Sequence, residues 1–212
     1  MESMAETLRN CGAILAGHFV LSSERHSGEY IDKVKIYKEP VIFEDFCWGI
    51  AQEVYQKFRP VDVVAGLAPI GAVIAQRVAY HLGEIRQKRV VPLFAEKDEA
   101  GKYFFGRGFD QDLRGKNVLV ADDNLTTGHS VRQVIDLVIN SGGNVLGVAV
   151  FCNRGDVLSD DLYHLPIISL LKVKMDDWPQ DNCPLCLKRV PINRDISRGR
   201  EFLEAHPGYP SI

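Results

Sequence analysis

Residues 118–130 read VLVADDNLTTGHS. Four apolar residues run into two carboxylates, Asp122 and Asp123, and a small hydroxyl-rich turn follows with Thr126, Thr127, Gly128 and Ser130. If the apolar run is a buried parallel strand, the acids stand at its carboxyl end, where open α/β sheets bind ligands. Free N–H groups at the start of the next helix, with hydroxyls beside them, make an anion site that suits phosphate. Glycine lets the backbone come close to that anion. Two carboxylates would repel a bare phosphate. They fit a ligand that also offers hydroxyls or a divalent cation, because ionised carboxylates only accept hydrogen bonds and are hard oxygen ligands. A sugar phosphate has both halves, a phosphate for the turn and a vicinal diol for the acids. The usual nucleotide loops fit less well: Gly66 and Gly71 have P-loop spacing, but Ala72-Val73 stand where Lys-Ser/Thr is required, and no G-x-G-x-x-G follows a strand. A plainer reading, with acids ending a strand and Thr127 or Ser130 capping a helix, explains any one of these residues but not the set in this order.

The rest of the chain must supply the elements that hold this segment. Residues 4–16 read as a short helix, and 31–37 (IDKVKIY) alternate as an edge strand would. Pro40 begins a helix whose apolar face is Phe43, Phe46, Cys47, Ile50, Ala51, Val54, Tyr55 and Phe58. Strand and helix then alternate: strands at 61–67, 89–94, 116–121 and 144–151, with 166–173 as one more, and helices marked by Ile70, Ile74, Val78 and Leu82, then by Val131, Val134, Ile135 and Val138. Apolar strands alternating with helices imply a mostly parallel central sheet flanked by helices, an α/β fold. Residues 95–115, charged and glycine-containing, read as a long loop or hairpin, and 176–212 as an irregular extension. One α/β domain results, with an N-terminal segment at 1–39, a core at 40–175 and the extension at 176–212.

Composition narrows the function classes. A formal net charge of -3 over 212 residues argues against a general polyanion binder, so no nucleic-acid partner is expected. No run approaches the roughly 18 apolar residues that a membrane helix needs. The N-terminus MESMAETLRNCGAILAGHF is a poor secretory signal, and the five cysteines are an odd number, so reduced thiols in a cytoplasmic protein are expected. Cys183 and Cys186 form a single C-x-x-C without a second pair or an H-x-x-x-H partner, and the six histidines show no metal spacing. With Cys152 as at most a third thiol, the pair reads as a Pro-containing turn with two half-buried thiols rather than a zinc site.

The segment VLVADDNLTTGHS resembles the phosphoribosyl pyrophosphate (PRPP) signature of the type I phosphoribosyltransferases. Further segments are similar to the orotate branch of that family: GHFVLSSERHSGEY (17–30), GLAPIGAVIA (66–75), FAEKDEAGKYFFGRGF (94–109), FCNRG (151–155) and CPLCLKRVPI (183–192). Glu24 stands where that branch usually has glycine, and would add negative charge near the base pocket. Ser22 stands where many relatives have lysine.

The resemblance implies a type I phosphoribosyltransferase-like fold with a small N-terminal hood, and transfer of a phosphoribosyl group from PRPP to orotate. It assigns the ribose hydroxyls to Asp122 and Asp123, the 5-phosphate to Thr126, Thr127, Gly128, His129 and Ser130, and the pyrophosphate to the turn containing Ala68, Pro69 and Gly71. Lys97 and Lys102 would act in catalysis and Arg107 in binding, on a loop that closes over PRPP. Arg154 would pair with the orotate carboxylate, for which a guanidinium fork is suited. Mg²⁺ would be the cofactor, carried mainly by PRPP, with Asp122 and Asp123 as further candidate ligands. A homodimer is implied too. The rival readings are a phosphoribosyltransferase for another base, such as a purine, and a non-catalytic PRPP-binding regulator.

Overall fold

A computed structural model describes residues 4–58, 60–155, 157–171 and 176–212. In chain order it begins with helix α1 (Met4–Asn10), strands β1 (Ile14–Val20) and β2 (His26–Ile31), and helices α2 (Lys33–Lys38) and α3 (Pro40–Lys57). Strand β3 (Val63–Leu67), helix α4 (Ile70–Arg86), and strands β4 (Val91–Lys97), β5 (Tyr103–Phe104) and β6 (Asn117–Leu125) follow. Helix α5 (His129–Asn140), strands β7 (Asn144–Asn153), β8 (Ile167–Leu171) and β9 (Asp177–Trp178), and helices α6 (Pro184–Leu187) and α7 (Gly199–Ala205) complete it. The chain divides into two compact units, residues 41–173 and residues 1–40 with 174–212. No helix among the described residues is long and apolar enough to cross a membrane.

The larger unit is a six-stranded sheet in the order β5-β4-β3-β6-β7-β8. All neighbouring strands run parallel except β5, which pairs antiparallel with β4. β3 is apolar and buried at every position, and β6 is apolar and buried from Val118 to Ala121. Side chains alternate between the faces of a strand. On β7, Val148 and Val150 therefore meet Val131, Val134 and Ile135 of α5. Phe151, one residue on, faces the other way and meets Phe43 and Phe46 of α3 edge-on at 5.5 and 4.9 Å. Helices thus cover both faces, as a parallel sheet requires. Of the expected last strand at 166–173, residues 167–171 form β8, and 172–173 lie outside the described residues.

Three expectations for the chain ends need correction. The predicted helix at 4–16 stops at Asn10, and Ile14–Ala16 open strand β1. The predicted strand at 31–37 is instead helix α2, because Asp32 caps it, its carboxylate accepting from the Val34 amide at 3.2 Å. Over so few residues the placement of Val34 and Ile36 cannot distinguish a strand from one helical turn, and the cap decides. Finally, residues 176–212 are not irregular: β9 adds to β2, so β1, β2 and β9 form an antiparallel sheet. Arg25 locks this pairing, donating from Nε to the Asp177 carboxylate at 2.7 Å and from Nη2 to its carbonyl at 2.9 Å. The same segment bonds β1, with the Asn193 amide donating to the His18 carbonyl at 2.8 Å and the Arg198 amide to that of Val20 at 3.1 Å.

Glu24 sits in the tight turn between β1 and β2, where its amide donates to the Leu21 carbonyl at 2.9 Å. Its φ is 64°, the left-handed region that favours glycine, which gives the glycine usual in relatives a backbone reason. Its carboxylate is paired with Arg198, so it does not stand as an uncompensated negative charge. Glu24→Gly and Glu24→Ala both lose this exposed ion pair, but only glycine relieves the backbone. Glu24→Gly is therefore expected to be the more stable of the two by about 1 kcal/mol, read as a higher Tm in thermal unfolding. Equal Tm values would contradict the strained turn.

Candidate functional site

The five parallel strands, taken in chain order, lie in space as second, first, third, fourth, fifth. The connection from β3 leads to β4 on one side, while β6 lies on the other. At such a reversal the loops leaving the two strands part and leave a crevice at their carboxyl ends. Pairing of β3 with β6 stops at Gly66 and Ala121, whereas pairing of β6 with β7 runs on to Leu125 and Asn153. Asp122 and Asp123 therefore lie within β6, not past its end, on a stretch with no β3 partner. Both are half-buried.

The turn after β3 comes up against this stretch. A Cβ on Gly66 would lie 1.9 Å from the Gly71 carbonyl oxygen, so the turn closes on itself only with glycine there. A Cβ on Gly71 would lie 3.1 Å from the Ala121 carbonyl oxygen and 3.2 Å from Asp122 Oδ1. Between them the Ala68-Pro69 bond is cis, and the Ala68 amide donates to the Ala95 carbonyl of β4 at 2.9 Å. The structure thus brings the Ala68, Pro69 and Gly71 turn to the first of the two acids.

On the other side of the acids, the hydroxyl-rich turn is organised by its own side chains. Asn124 donates from Nδ2 to Thr126 Oγ1 at 3.1 Å. Thr127 Oγ1 accepts from the His129 amide at 3.4 Å. Gly128, with φ +72°, begins α5, while Thr126, Thr127 and His129 are exposed and Ser130 is half-buried. The start of α5 thus lies at the surface, where the amides of a helix N-terminus can receive an anion.

The end of β7 clamps this turn. The amides of Arg154 and Gly155 both donate to the Leu125 carbonyl, at 2.9 and 3.2 Å. Gly155 passes so close to Thr126 that a Cβ would lie 1.6 Å from its carbonyl oxygen. The backbone of Arg154, a half-buried residue, is thereby fixed beside the hydroxyl-rich turn.

The expected loop at 95–115 contains a short hairpin, β4 against β5, with Glu96 opposite Phe104 and Lys97 opposite Tyr103. Its cations have partners within the hairpin. Lys97 Nζ lies over the Tyr103 ring at 4.9 Å, and Arg107 Nη2 is 3.7 Å from Glu96 Oε1. Lys102 is exposed and lines a cleft of about 630 Å³ with Tyr103, His129, Gln133 and Asp136. Asp122, Asp123 and Arg154 are not among the residues lining that cleft. The site residues thus fall into two groups. Gly71, Asp122, Thr126 and the Arg154 backbone form one and Lys102 with His129 the other, while Lys97 and Arg107 are held by the hairpin.

Gln133 is a site residue that motif reading missed. Its Nε2 donates to His129 Nε2 at 2.8 Å, and its Oε1 accepts from the Tyr103 amide at 3.4 Å. It ties the helix of the phosphate turn to the hairpin. Only its position one helical turn after His129 hinted at this, and the Tyr103 partner is not local.

As for a divalent cation, neither Asp122 nor Asp123 joins a cluster of three or more carboxylate, imidazole or thiol ligands among the described residues. Two carboxylates fit a hard cation that brings most of its oxygen ligands on the substrate, as Mg²⁺ does with phosphates.

Comparison with known proteins agrees with this geometry. Residues 33–184 match the model of the phosphoribosyl transferase domain. The chain is 35% identical over 197 residues to the orotate phosphoribosyltransferase of Caldanaerobacter subterraneus subsp. tengcongensis, spanning 93% of this chain and 97% of that protein. It is 37% identical over 186 residues to the orotate phosphoribosyltransferase of Carboxydothermus hydrogenoformans, spanning 88% and 92%. The crystal structure of orotate phosphoribosyltransferase from Aeropyrum pernix superposes with a TM-score of 0.63 at 25% identity, over 79% of this chain and 92% of that one.

The clamp at Gly155 can be checked directly. Gly155→Ala drives a methyl group into the Thr126 carbonyl and is expected to cost about 1–3 kcal/mol, a Tm drop of several degrees in thermal unfolding. An unchanged Tm would mean that the two strand ends are not held in contact.

Proposed function

We propose that this chain, which belongs to the phosphoribosyl transferase family, transfers the phosphoribosyl group of PRPP to orotate, giving orotidine 5′-monophosphate and pyrophosphate. The observation that carries the reading is the pair of half-buried acids on β6, set between a glycine turn on one side and a phosphate-type turn on the other. A sugar bearing a phosphate at one end and a pyrophosphate at the other has that sequence of groups.

The bond from C1 of ribose to the pyrophosphate oxygen breaks as a ring nitrogen of orotate forms its bond to C1. Positive charge builds on the sugar carbon and negative charge on the leaving group, the oxocarbenium character that glycoside cleavage also has. Asp122 and Asp123 accept hydrogen bonds from the ribose hydroxyls and hold C1 in place. Thr126, Thr127, Gly128, His129 and Ser130 bind the 5-phosphate, and the Ala68, Pro69 and Gly71 turn the pyrophosphate. Arg154 receives the orotate carboxylate. Asp122 and Asp123 would help to hold a Mg²⁺ ion carried mainly by PRPP, and that ion would supply counter-charge to the leaving group.

The hairpin supplies the remaining cations. Lys97 and Arg107 are engaged by exposed contacts worth about 1 kcal/mol or less each, so the phosphates of PRPP can replace those partners at small cost. With Lys102 they stabilise the departing pyrophosphate, and closure of the loop keeps water from C1. A homodimer in which a loop lysine reaches the partner's site, acting in the cytoplasm, completes the proposal; five cysteines without a disulfide fit that compartment.

The test is loss of orotate's ultraviolet absorbance on mixing with PRPP and Mg²⁺, with uracil, adenine and hypoxanthine alongside. Consumption of orotate that needs both PRPP and Mg²⁺ is expected. Asp123→Asn and Lys102→Ala should each lower kcat by about 100-fold or more. Arg154→Ala should raise the KM for orotate by about 10–100-fold and leave that for PRPP near its starting value. Turnover of a purine in place of orotate would assign a different base. PRPP binding without any turnover would make the chain a sensor.

Gln133→Leu removes the tie between α5 and the hairpin, together with the hydrogen bond to the His129 ring, and leaves the backbone amides and hydroxyls of the phosphate turn in place. Its expected signature is a fall in kcat of about tenfold with little change in PRPP affinity, the split a residue acting through loop position gives. A rise in the PRPP KM alone would place Gln133 in ground-state binding instead.

A further inference from the structure

The smaller unit contains a cluster that the proposed reaction does not use. One donor atom from each of His18, His26, Cys183 and Cys186 lies within 4.8 Å of the other three. His18 and His26 face each other from paired strands, while Cys183 caps the short helix α6 and Cys186 lies within it. The sequence offers one C-x-x-C with no partner in view, and the fold supplies the two missing ligands.

The distances are those of a metal centre. His18 Nε2 is 3.6 Å from Cys183 Sγ and 3.7 Å from Cys186 Sγ, and His26 Nδ1 is 3.3 Å from Cys186 Sγ. A tetrahedral ion with bonds of about 2.0 Å to nitrogen and 2.3 Å to sulfur puts nitrogen and sulfur ligands about 3.6 Å apart. The two ring nitrogens are closer, at 2.8 Å. That contact without a metal is a poor substitute. His18 Nδ1 donates to the Val190 carbonyl at 2.8 Å, which leaves Nε2 of the neutral ring bare. His26 would then have to spend its one proton on Nδ1, leaving its Nε2 buried and without a hydrogen-bond partner. His18, His26 and Cys183 are all 0% exposed and Cys186 is half-buried, and polar groups so enclosed and facing one another are costly unless something satisfies them.

We propose that His18, His26, Cys183 and Cys186 form a structural zinc site that ties the β1–β2 hairpin to the C-terminal segment. Binding of Zn²⁺ displaces one proton from each thiol, and two thiolates with two neutral imidazoles give a centre of zero net charge, which suits a buried position. Four protein ligands leave no open position, the mark of a structural rather than a catalytic site. Thiolate and imidazole donors in tetrahedral reach select zinc over the hard cations. A two-iron cluster held by two cysteines and two histidines places the thiols on one iron and the imidazoles on the other, too far apart for the 3.3 Å contact seen here.

The surroundings are built for it. The Val190 carbonyl fixes the His18 tautomer so that Nε2 faces the thiols, and the Cys186 amide donates to Cys183 Sγ at 3.5 Å. Such outer hydrogen bonds orient metal ligands and support the charge of a thiolate. There is also a need. This unit is assembled from two short stretches of chain far apart in sequence, and small cores of that kind commonly rely on a metal or a disulfide.

The experiment is metal analysis of the full chain purified under reducing conditions without chelator. About one zinc per chain is expected, against less than about a tenth in the Cys183→Ser/Cys186→Ser double variant. Because that variant could fail for lack of folding, two measurements use the unaltered protein. Titration with a mercurial reagent should release zinc in step with modification of two thiols. Replacement by Co²⁺ should give the intense visible bands of a tetrahedral ion and a near-ultraviolet thiolate charge-transfer band. Protein that takes up no zinc when supplied with it, zinc retained by the double variant, a pale octahedral cobalt spectrum, or a Cys183–Cys186 disulfide in the reduced preparation would each overturn the proposal.

Discussion

From the carboxyl end of β3 the chain turns through α4 towards β4, while the other edge of β3 is held by β6, whose own connection turns the opposite way. The crevice between these departing loops exists because of strand order alone, before any side chain is considered. The rest of the chemistry depends on it. β6 can run four positions past its last β3 partner and still be held by β7, so Asp122 and Asp123 stand on rigid backbone along a stretch that β3 does not cover. The turns on either side then need only approach closely, which glycine at 66, 71 and 155 allows.

The charges are divided accordingly. The acids and the amide-rich turn are on fixed elements, where a ribose and a phosphate need to be oriented. The cations are on a hairpin attached to the sheet edge through a two-residue strand. A polyanionic leaving group needs counter-charge while it departs, but a permanently installed cluster of cations would bind the product as tightly as the substrate. Weak partners such as Tyr103 and Glu96 hold these side chains in the meantime.

Most of the larger unit was legible in the sequence because its signals are local. The apolar faces of α3, α4 and α5, the buried strands and the Asp-Asp-to-Thr-Gly order each occupy a few consecutive residues. The reading failed where structure depends on partners far along the chain. Nothing in HSGEY marks it as the middle strand of a sheet whose third member is 177–178, and the irregular look of 176–212 arises because it is a strand, a turn and a helix fitted onto someone else's hairpin. The same non-locality hid the partners of Cys183 and Cys186: spacing rules search for ligands near in sequence, whereas His18 stands 165 residues from Cys183 and His26 160 residues from Cys186. Glu24 is a different lesson. Its charge suggested an effect on the base pocket, whereas its φ and its pairing with Arg198 concern the turn it sits in.

The interleaving of the two units has a consequence for synthesis. All strands of the larger sheet lie within one continuous stretch, 63–171, and can pair as they leave the ribosome. The β1–β2 hairpin is made first but completed last, because Asp177, which receives Arg25, follows it by 152 residues. At an elongation rate of about 5–20 residues per second, the hairpin waits about 8–30 s for its third strand. During that interval β2 presents an unpaired edge to the crowded surroundings of the nascent chain. The order of translation therefore makes the β1–β2 hairpin the part of the molecule most in need of a chaperone, although Phe19, Val20 and Ile31 are buried in the finished fold.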